Sequence, residues 1–428
     1  MARHYKDIRT SAKQIFIHYI DMKKILTLAL CATTMFGAMA QKQVVDQAAK
    51  MSGKFDKLNE ARGLIKGAMG NAETANDVRT YFVAGELEFD AFDNGVKAGM
   101  INPQDPSADP ETMADELLSG YGYFMKALPL DSIPDAKGKV NPKFSKKIVG
   151  KIGGHVGDFF NAGGTKYNNK KYNDAYDLFM IYANLPEATW MGKSAPALTP
   201  EQRSLAYYYA GLAAYFSQQP EKATLALKKA REAGYEDPEA QNYVLEIASW
   251  QQIAQDSTKA DLAKDNIIDV ARAGYNKYGV TIPLFISNLV NAMINDGKYN
   301  EAFELMDAEI AKNPDNAWLY GLRGYVYDVN GNEEKSEADY RKAASLPGVD
   351  FETLKNAAKK IYRIGAEKLN TIEGNSAEAQ AARKDLKTNY FEVAKQIVDH
   401  ARQMPNADGS IDYVSDAINY ALETYFNN

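Results

Sequence analysis

The chain has 428 residues, and its 50 lysines and arginines stand against 56 aspartates and glutamates for a formal net charge of −6. A net acidic chain without a basic block lacks the clustered cations that nucleic acid or an anionic membrane surface calls for. The single cysteine excludes an intrachain disulfide and a thiolate zinc site, so stability must come from packing, for which a chain this long is ample.

Residues 1–21 carry Arg3, Lys6, Arg9 and Lys13 without any pattern of a fold, and we read them as preceding a true start at Met22, with an extended leader as the alternative. From Met22 the chain runs Lys23-Lys24, the apolar stretch Ile25–Phe36, then Gly37-Ala38-Met39-Ala40-Gln41. A positive start, a short apolar core and a small-x-small site make 22–40 a secretory signal peptide cut between Ala40 and Gln41. The apolar stretch is shorter than the roughly 20 residues a membrane span needs. Cys31 follows Leu30, not a small residue, so a lipid anchor there is not expected. The expected location is the periplasm, the outer membrane surface or the exterior. Removal of residues 1–40 takes away six basic residues with Asp7 and Asp21, leaving a net charge of −10.

Beyond Gln41, small residues recur seven apart: Ala61 and Ala68, Gly120 and Ala127, Ala223 and Ala230, Ser336 and Ala343, Ala394 and Ala401. Seven residues is nearly two helical turns, so each pair marks one face where a second helix can approach closely. Phe55–Asn71 and Asp77–Phe92 read as helices, the second paired with Ala114–Leu128. Between them, the Asn-Pro and Asp-Pro steps of 93–111 predict a long inserted loop. Phe159–Glu187 carries Gly163, Tyr172, Ala175, Phe179 and Pro186. Ser204–Tyr235 follows with Gly211, Tyr215, Ala223, Leu227 and Ala230, and Glu239–Tyr278 is a long helical segment. Pro283–Asn316 and Ala317–Asp350 are equal units of 34 residues, each two helices joined by a turn at Asp296-Gly297-Lys298 or Asn330-Gly331-Asn332. Asn and Gly tolerate the left-handed backbone such turns require. Phe351–Met404 is a similar pair with an insertion, and Ile411–Phe426 a final helix.

These residues resemble the tetratricopeptide repeat, whose 34-residue pattern wants Leu-Gly and Tyr on a first helix, then Ala, a bulky residue and Pro on and after the second. Leu289, Tyr299, Ala302, Met306 and Pro314 hold that register in one unit, and Gly324, Tyr327, Ser336, Tyr340 and Ala343 in the next. The resemblance implies an all-α, right-handed superhelical solenoid of about seven or eight antiparallel helix pairs, closed by a C-terminal capping helix. Degenerate repeats would fill 41–200, clear ones 201–350, and a repeat with an insertion plus the cap 351–428.

Chemistry is thin. No His-Glu-x-x-His, no phosphate-loop ending after the glycines of 150–157, and no Gly-x-Ser-x-Gly elbow occurs, so no catalytic residue, metal site or cofactor is expected. His155 and His400 are the only histidines past the signal, and His400 reads as partly buried. Acidic pairs such as Glu86/Glu88, Asp90/Asp93 and Glu333/Glu334 read as solvated surface rather than a glycosidase dyad. The resemblance instead implies binding along the first helix of each unit. Its groove positions fall on Tyr208 and Tyr215, on Asn291 and Asn295, and on Trp318 and Tyr325. Aromatics and amides suit a peptide. The function expected is a non-catalytic scaffold for a protein or peptide partner in the cell envelope. The alternative is an all-helical glycan-active enzyme or a glycan-capturing surface protein.

Overall fold

The computed structural model describes residues 42–426, and among these it holds helices and no strand. Met1–Asp21, the signal stretch and the Ala40–Gln41 step lie outside the described residues. The chain divides into two compact units at Ser257 and Thr258.

The first unit contains α1 (42–49), α2 (Leu58–Met69), α3 (Val78–Ile101), α4 (Pro110–Asp131), α5 (Ser145–Gly154), α6 (Val156–Asn168), α7 (Tyr172–Asn184), α8 (Pro200–Phe216), α9 (Pro220–Glu232) and α10 (Gln241–Ile253). The second contains α11 (Ala260–Tyr278), α12 (Pro283–Asn295), α13 (Tyr299–Lys312), α14 (Ala317–Val329), α15 (Glu333–Ser345), α16 (Phe351–Asn370), α17 (Ala377–Leu386), α18 (Glu392–Arg402) and α19 (Asp412–Phe426). Most helices pack chiefly on their neighbours in sequence, as expected for hairpins stacked in series.

Two local devices repeat. The first is a glycine facing a bulky side chain sixteen residues on. A Cβ at Gly163 would lie 2.8 Å from the Phe179 ring, one at Gly211 2.5 Å from Leu227, and one at Gly324 3.3 Å from Tyr340. The missing side chain lets each hairpin close. In the α12–α13 hairpin Val290 stands at the glycine position opposite Met306, both fully buried, and those helices pack less closely because the branched side chain holds the backbones apart. The second device is the turn. Lys170, Gln218, Gly297 and Gly331 all take left-handed backbone. The next residue's N–H then reaches back to a carbonyl of the first helix: Lys171 to Lys166 at 2.8 Å, Gln219 to Ala214 at 2.9 Å, Lys298 to Met293 at 2.8 Å and Asn332 to Tyr327 at 2.8 Å. Each is the same Schellman closure of a helix C-terminus.

Three expectations are corrected. The inserted loop at 93–111 is mostly helix, because α3 continues to Ile101 and the proline steps exclude helix only from Asn102 onward, where Asp105 and Asp109 cap the next turns. The segment 239–278 is two helices, α10 and α11, broken around 254–259. His400 is exposed, because the apolar stripe of α18 runs through Ala394, Ile397, Val398 and Ala401 and leaves it outside. The insertion after α16 is α17, joined to α18 through one π-helical turn at Lys387–Phe391.

Candidate partner-binding groove

α14 begins where the Asn316 side chain accepts hydrogen bonds from the N–H groups of Trp318 and Leu319. Its apolar stripe buries Leu319 and Val326, while Trp318, Leu322 and Tyr325 fall on the adjoining face toward α16, with Trp318 and Leu322 also packed against the core that holds Leu319 and Val326. α16 is capped by Asp350, whose carboxylate accepts from the Thr353 N–H at 2.9 Å and its hydroxyl at 2.6 Å. Gly321 lets the two helices meet, since a Cβ there would sit 2.9 Å from the Thr353 methyl. Between them opens a groove of 410 Å³.

One wall of the groove is Trp318, Leu322 and Tyr325. The other is Asn356, Lys359, Lys360 and Arg363 of α16, with Ser287 of α12 at one side. The charges differ in availability. Lys360 is buried and its ammonium donates to Asp328 at 2.6 Å and Glu333 at 3.3 Å. Arg363 donates to Glu333 at 2.8 Å and Glu367 at 2.8 Å; burial works against its charge, but these carboxylates outweigh it and raise its pKa. Lys359 has no ion pair among the described residues and lies 5.9 Å over the Tyr413 ring. Asn356, Lys359 and Tyr325 are therefore the exposed groups a ligand would meet, with Tyr325 42% exposed.

The six residues singled out from sequence fall in different places. Trp318 and Tyr325 share the groove. Ser287, Asn291 and Asn295 follow one another at four-residue steps on α12, so the two exposed asparagines extend the ridge that Ser287 begins. Tyr208 is buried, with its ring stacked 4.2 Å from Tyr235 and its hydroxyl donating to Gln241 at 3.0 Å, so it presents no free surface. Tyr215 is half-buried at the end of α8 beside Phe216. Asn356 and Lys359 were missed. Carrying the 34-residue register one unit further would have found them, because Leu322 leads to Asn356 and Tyr325 to Lys359.

Of the acidic pairs, Asp90/Asp93 is held whole by a cation and the other two through one member each, Glu88 and Glu333. Glu88 and Glu116 share Arg62, Asp90 and Asp93 share Lys151, and Glu333 joins Lys360 and Arg363. The glycine-rich stretch spans the α5–α6 junction at His155. The His155 ring nitrogens sit 2.7 Å from the Lys151 carbonyl and 2.8 Å from Asp93. Among the described residues no group of three His, Cys, Asp or Glu is placed to hold a metal ion.

Glycine-to-bulky hairpins, Schellman turns and 34-residue units together define the arrangement. The fold is that of the tetratricopeptide repeat. No protein-family model matches the sequence, and no curated protein matches it either. Among solved structures the chain is similar to a TPR repeats protein from Bacteroides fragilis, at 16% identity over 62% of this chain and 97% of that one, with a TM-score of 0.31. It is similar to a tetratricopeptide repeat protein from Parabacteroides merdae at 14% identity, covering 76% and 99% of the two chains with a TM-score of 0.26. The TPR2AB domain of yeast Sti1, in complex with pHSP90, is matched at 12% identity over 78% and 99%, with a TM-score of 0.22.

Proposed function

We propose that this protein is an exported, non-catalytic scaffold that holds an extended peptide segment of a protein partner along the α14–α16 groove. The observation that carries this is the juxtaposition of Trp318, Leu322 and Tyr325 with the unspent polar groups of Asn356 and Lys359 across 410 Å³. Large rings provide contact area at low entropic cost, and an amide beside them can read a peptide backbone. Export rests on the signal pattern of 22–40. Glycan hydrolysis would need a carboxylate pair flanking a substrate cleft, whereas Glu88, both Asp90 and Asp93, and Glu333 are engaged by Arg62, Lys151, Lys360 and Arg363.

A displayed peptide library selected on the protein, followed by titration of the recovered peptides, tests the site. Trp318→Ala should weaken them by roughly 30-fold or more, the usual effect of truncating an aromatic anchor at about 2 kcal/mol. Asn356→Ala should cost less, with helicity unchanged in both. Peptides that bind the Trp318→Ala protein as tightly as the parent would refute the groove. So would loss of binding that merely follows loss of fold.

A further inference from the structure

The connection from α4 to α5, residues 132–144, departs from the acidic character of the rest of the chain. Between Ser132 and Lys147 stand five lysines, 137, 139, 143, 146 and 147, against one acid, Asp135. All five ammonium groups lack an ion pair among the described residues; Lys147 alone has a ring contact, 5.7 Å over Phe82. Ile133 and Val140 project from the same connection, 63% and 47% exposed.

The loop is held in shape from inside. The buried Asp131 carboxylate accepts from the N–H of Lys143 at 2.9 Å, of Phe144 at 2.8 Å and of Ser145 at 2.7 Å, with the Ser145 hydroxyl at 2.7 Å. Asp135 does the same at the tip, accepting from the N–H of Lys137 at 2.8 Å and Lys139 at 2.9 Å across a turn with Gly138 in left-handed backbone. Both carboxylates are thus committed to backbone amides, and neither compensates a lysine. Phe144 anchors the base, its ring 4.5 Å from Phe82.

We propose that this loop is a docking surface for an anionic lipid bilayer. Lysines alone would suit any polyanion, but two aliphatic side chains projecting among them match a surface with phosphate outside and hydrocarbon beneath. Charge complementarity selects the partner: lysines without an ion pair among the described residues are gathered here while the chain as a whole is acidic, and the cations of α16 are mostly tied to carboxylates, so a bilayer would be met by this loop first. The expectation that the chain lacks clustered cations is corrected at this stretch, because a net charge averaged over 428 residues erases a 16-residue patch.

Flotation of the full chain with phosphatidylglycerol vesicles and with phosphatidylcholine vesicles tests the assignment. Binding should require the anionic lipid and weaken steeply between low salt and 0.15 M, as the Debye length falls to about 8 Å. Each lysine replaced by glutamine among 137, 139 and 143 should lower partitioning roughly fivefold, and Ile133→Ser with Val140→Ser should lower it at unchanged charge. Ile133→Trp should show a blue shift of emission with anionic vesicles only. Binding that all these variants leave unaltered belongs to other residues and overturns the proposal. Loss on lysine replacement with no effect of the Ile133 and Val140 changes, together with equal binding to soluble polyphosphate, overturns the bilayer in favour of a polyanion.

Discussion

Gly211 and Leu227 give the sharpest test of the packing. A Cβ added at Gly211 would meet Leu227 Cγ and Cδ2 at 2.5 Å and its backbone nitrogen at 3.4 Å. Carbon pairs are comfortable at about 3.5–4.0 Å, so Leu227 would have to retreat by roughly an ångström. It is fully buried, and the contact involves its branch point rather than a mobile tip. Overpacking of this kind costs about 1–3 kcal/mol, against which alanine in a helix interior gains up to about 1 kcal/mol over glycine. Gly211→Ala should therefore destabilise by up to about 2 kcal/mol, a fall of about 2–4 °C in melting temperature for each kcal/mol in a domain of this size. Gly122, exposed on α4 with nothing within 4 Å of its Cβ, is the control. There the propensity gain acts alone, so Gly122→Ala should stabilise by about 0.5–1 kcal/mol. Thermal and urea unfolding followed by circular dichroism at 222 nm reads both. Leu227→Ala alone should cost about 2–5 kcal/mol, and the double variant Gly211→Ala with Leu227→Ala should cost clearly less than the sum, because the clash is gone. If Gly211→Ala stabilises the protein as Gly122→Ala does, or the two costs simply add, the helices do not meet where described.

Arg323 joins three helices, donating to both Asp339 oxygens at 2.8 Å and to Asp307 at 2.6 Å; Arg323→Ala strands the buried Asp339 charge and should cost about 3 kcal/mol in urea unfolding, and an unchanged midpoint would refute the clamp. Burial alone would raise the Asp131 carboxyl, but the amides of Lys143, Phe144 and Ser145 and the Ser145 hydroxyl outweigh it and hold it below the ordinary aspartate range. A depressed folded value contributes stability that is complete above the unfolded pKa of about 3.9 and lost as pH falls through the folded one. Hydrogen-exchange protection at Phe144 and Ser145, relative to the intrinsic rate at each pH, should thus fall below about pH 4, and Asp131→Asn should abolish that dependence; protection insensitive to acid would contradict it. Mass spectrometry of envelope fractions should find a form beginning at Gln41, and an acylated N-terminal Cys31 would overturn both the Ala40–Gln41 cleavage and the reading without a lipid anchor.

Most of the fold was legible because a repeat states its packing several times over. Gly211 with Leu227 and Gly324 with Tyr340 hold one register, and the turns at Gly297 and Gly331 announce themselves by composition. The same left-handed turn at Lys170 and Gln218 carries no such signal, since a closing hairpin imposes that backbone on residues that do not prefer it. The end of α3 was misjudged because proline excludes helix only locally, and nothing between Asp93 and Ile101 marks where the helix stops. Of the candidate site, Trp318 and Tyr325 were visible as aromatics seven apart on one helix, whereas Tyr208, with the same local appearance, is spent on Tyr235 and Gln241.

The sequence by itself determined the helical class and the 34-residue period, because each depends on spacing within a short stretch. Only tertiary structure decided which polar groups remain free. Arg363 and Lys359 differ little as sequence, yet one is tied to Glu333 and the other is not. Likewise the lysines of 137–147 stand without an ion pair among the described residues, because Asp131 and Asp135 turn inward to backbone amides. Charge compensation is settled by neighbours distant in the chain and by which way a carboxylate points, and neither quantity is local.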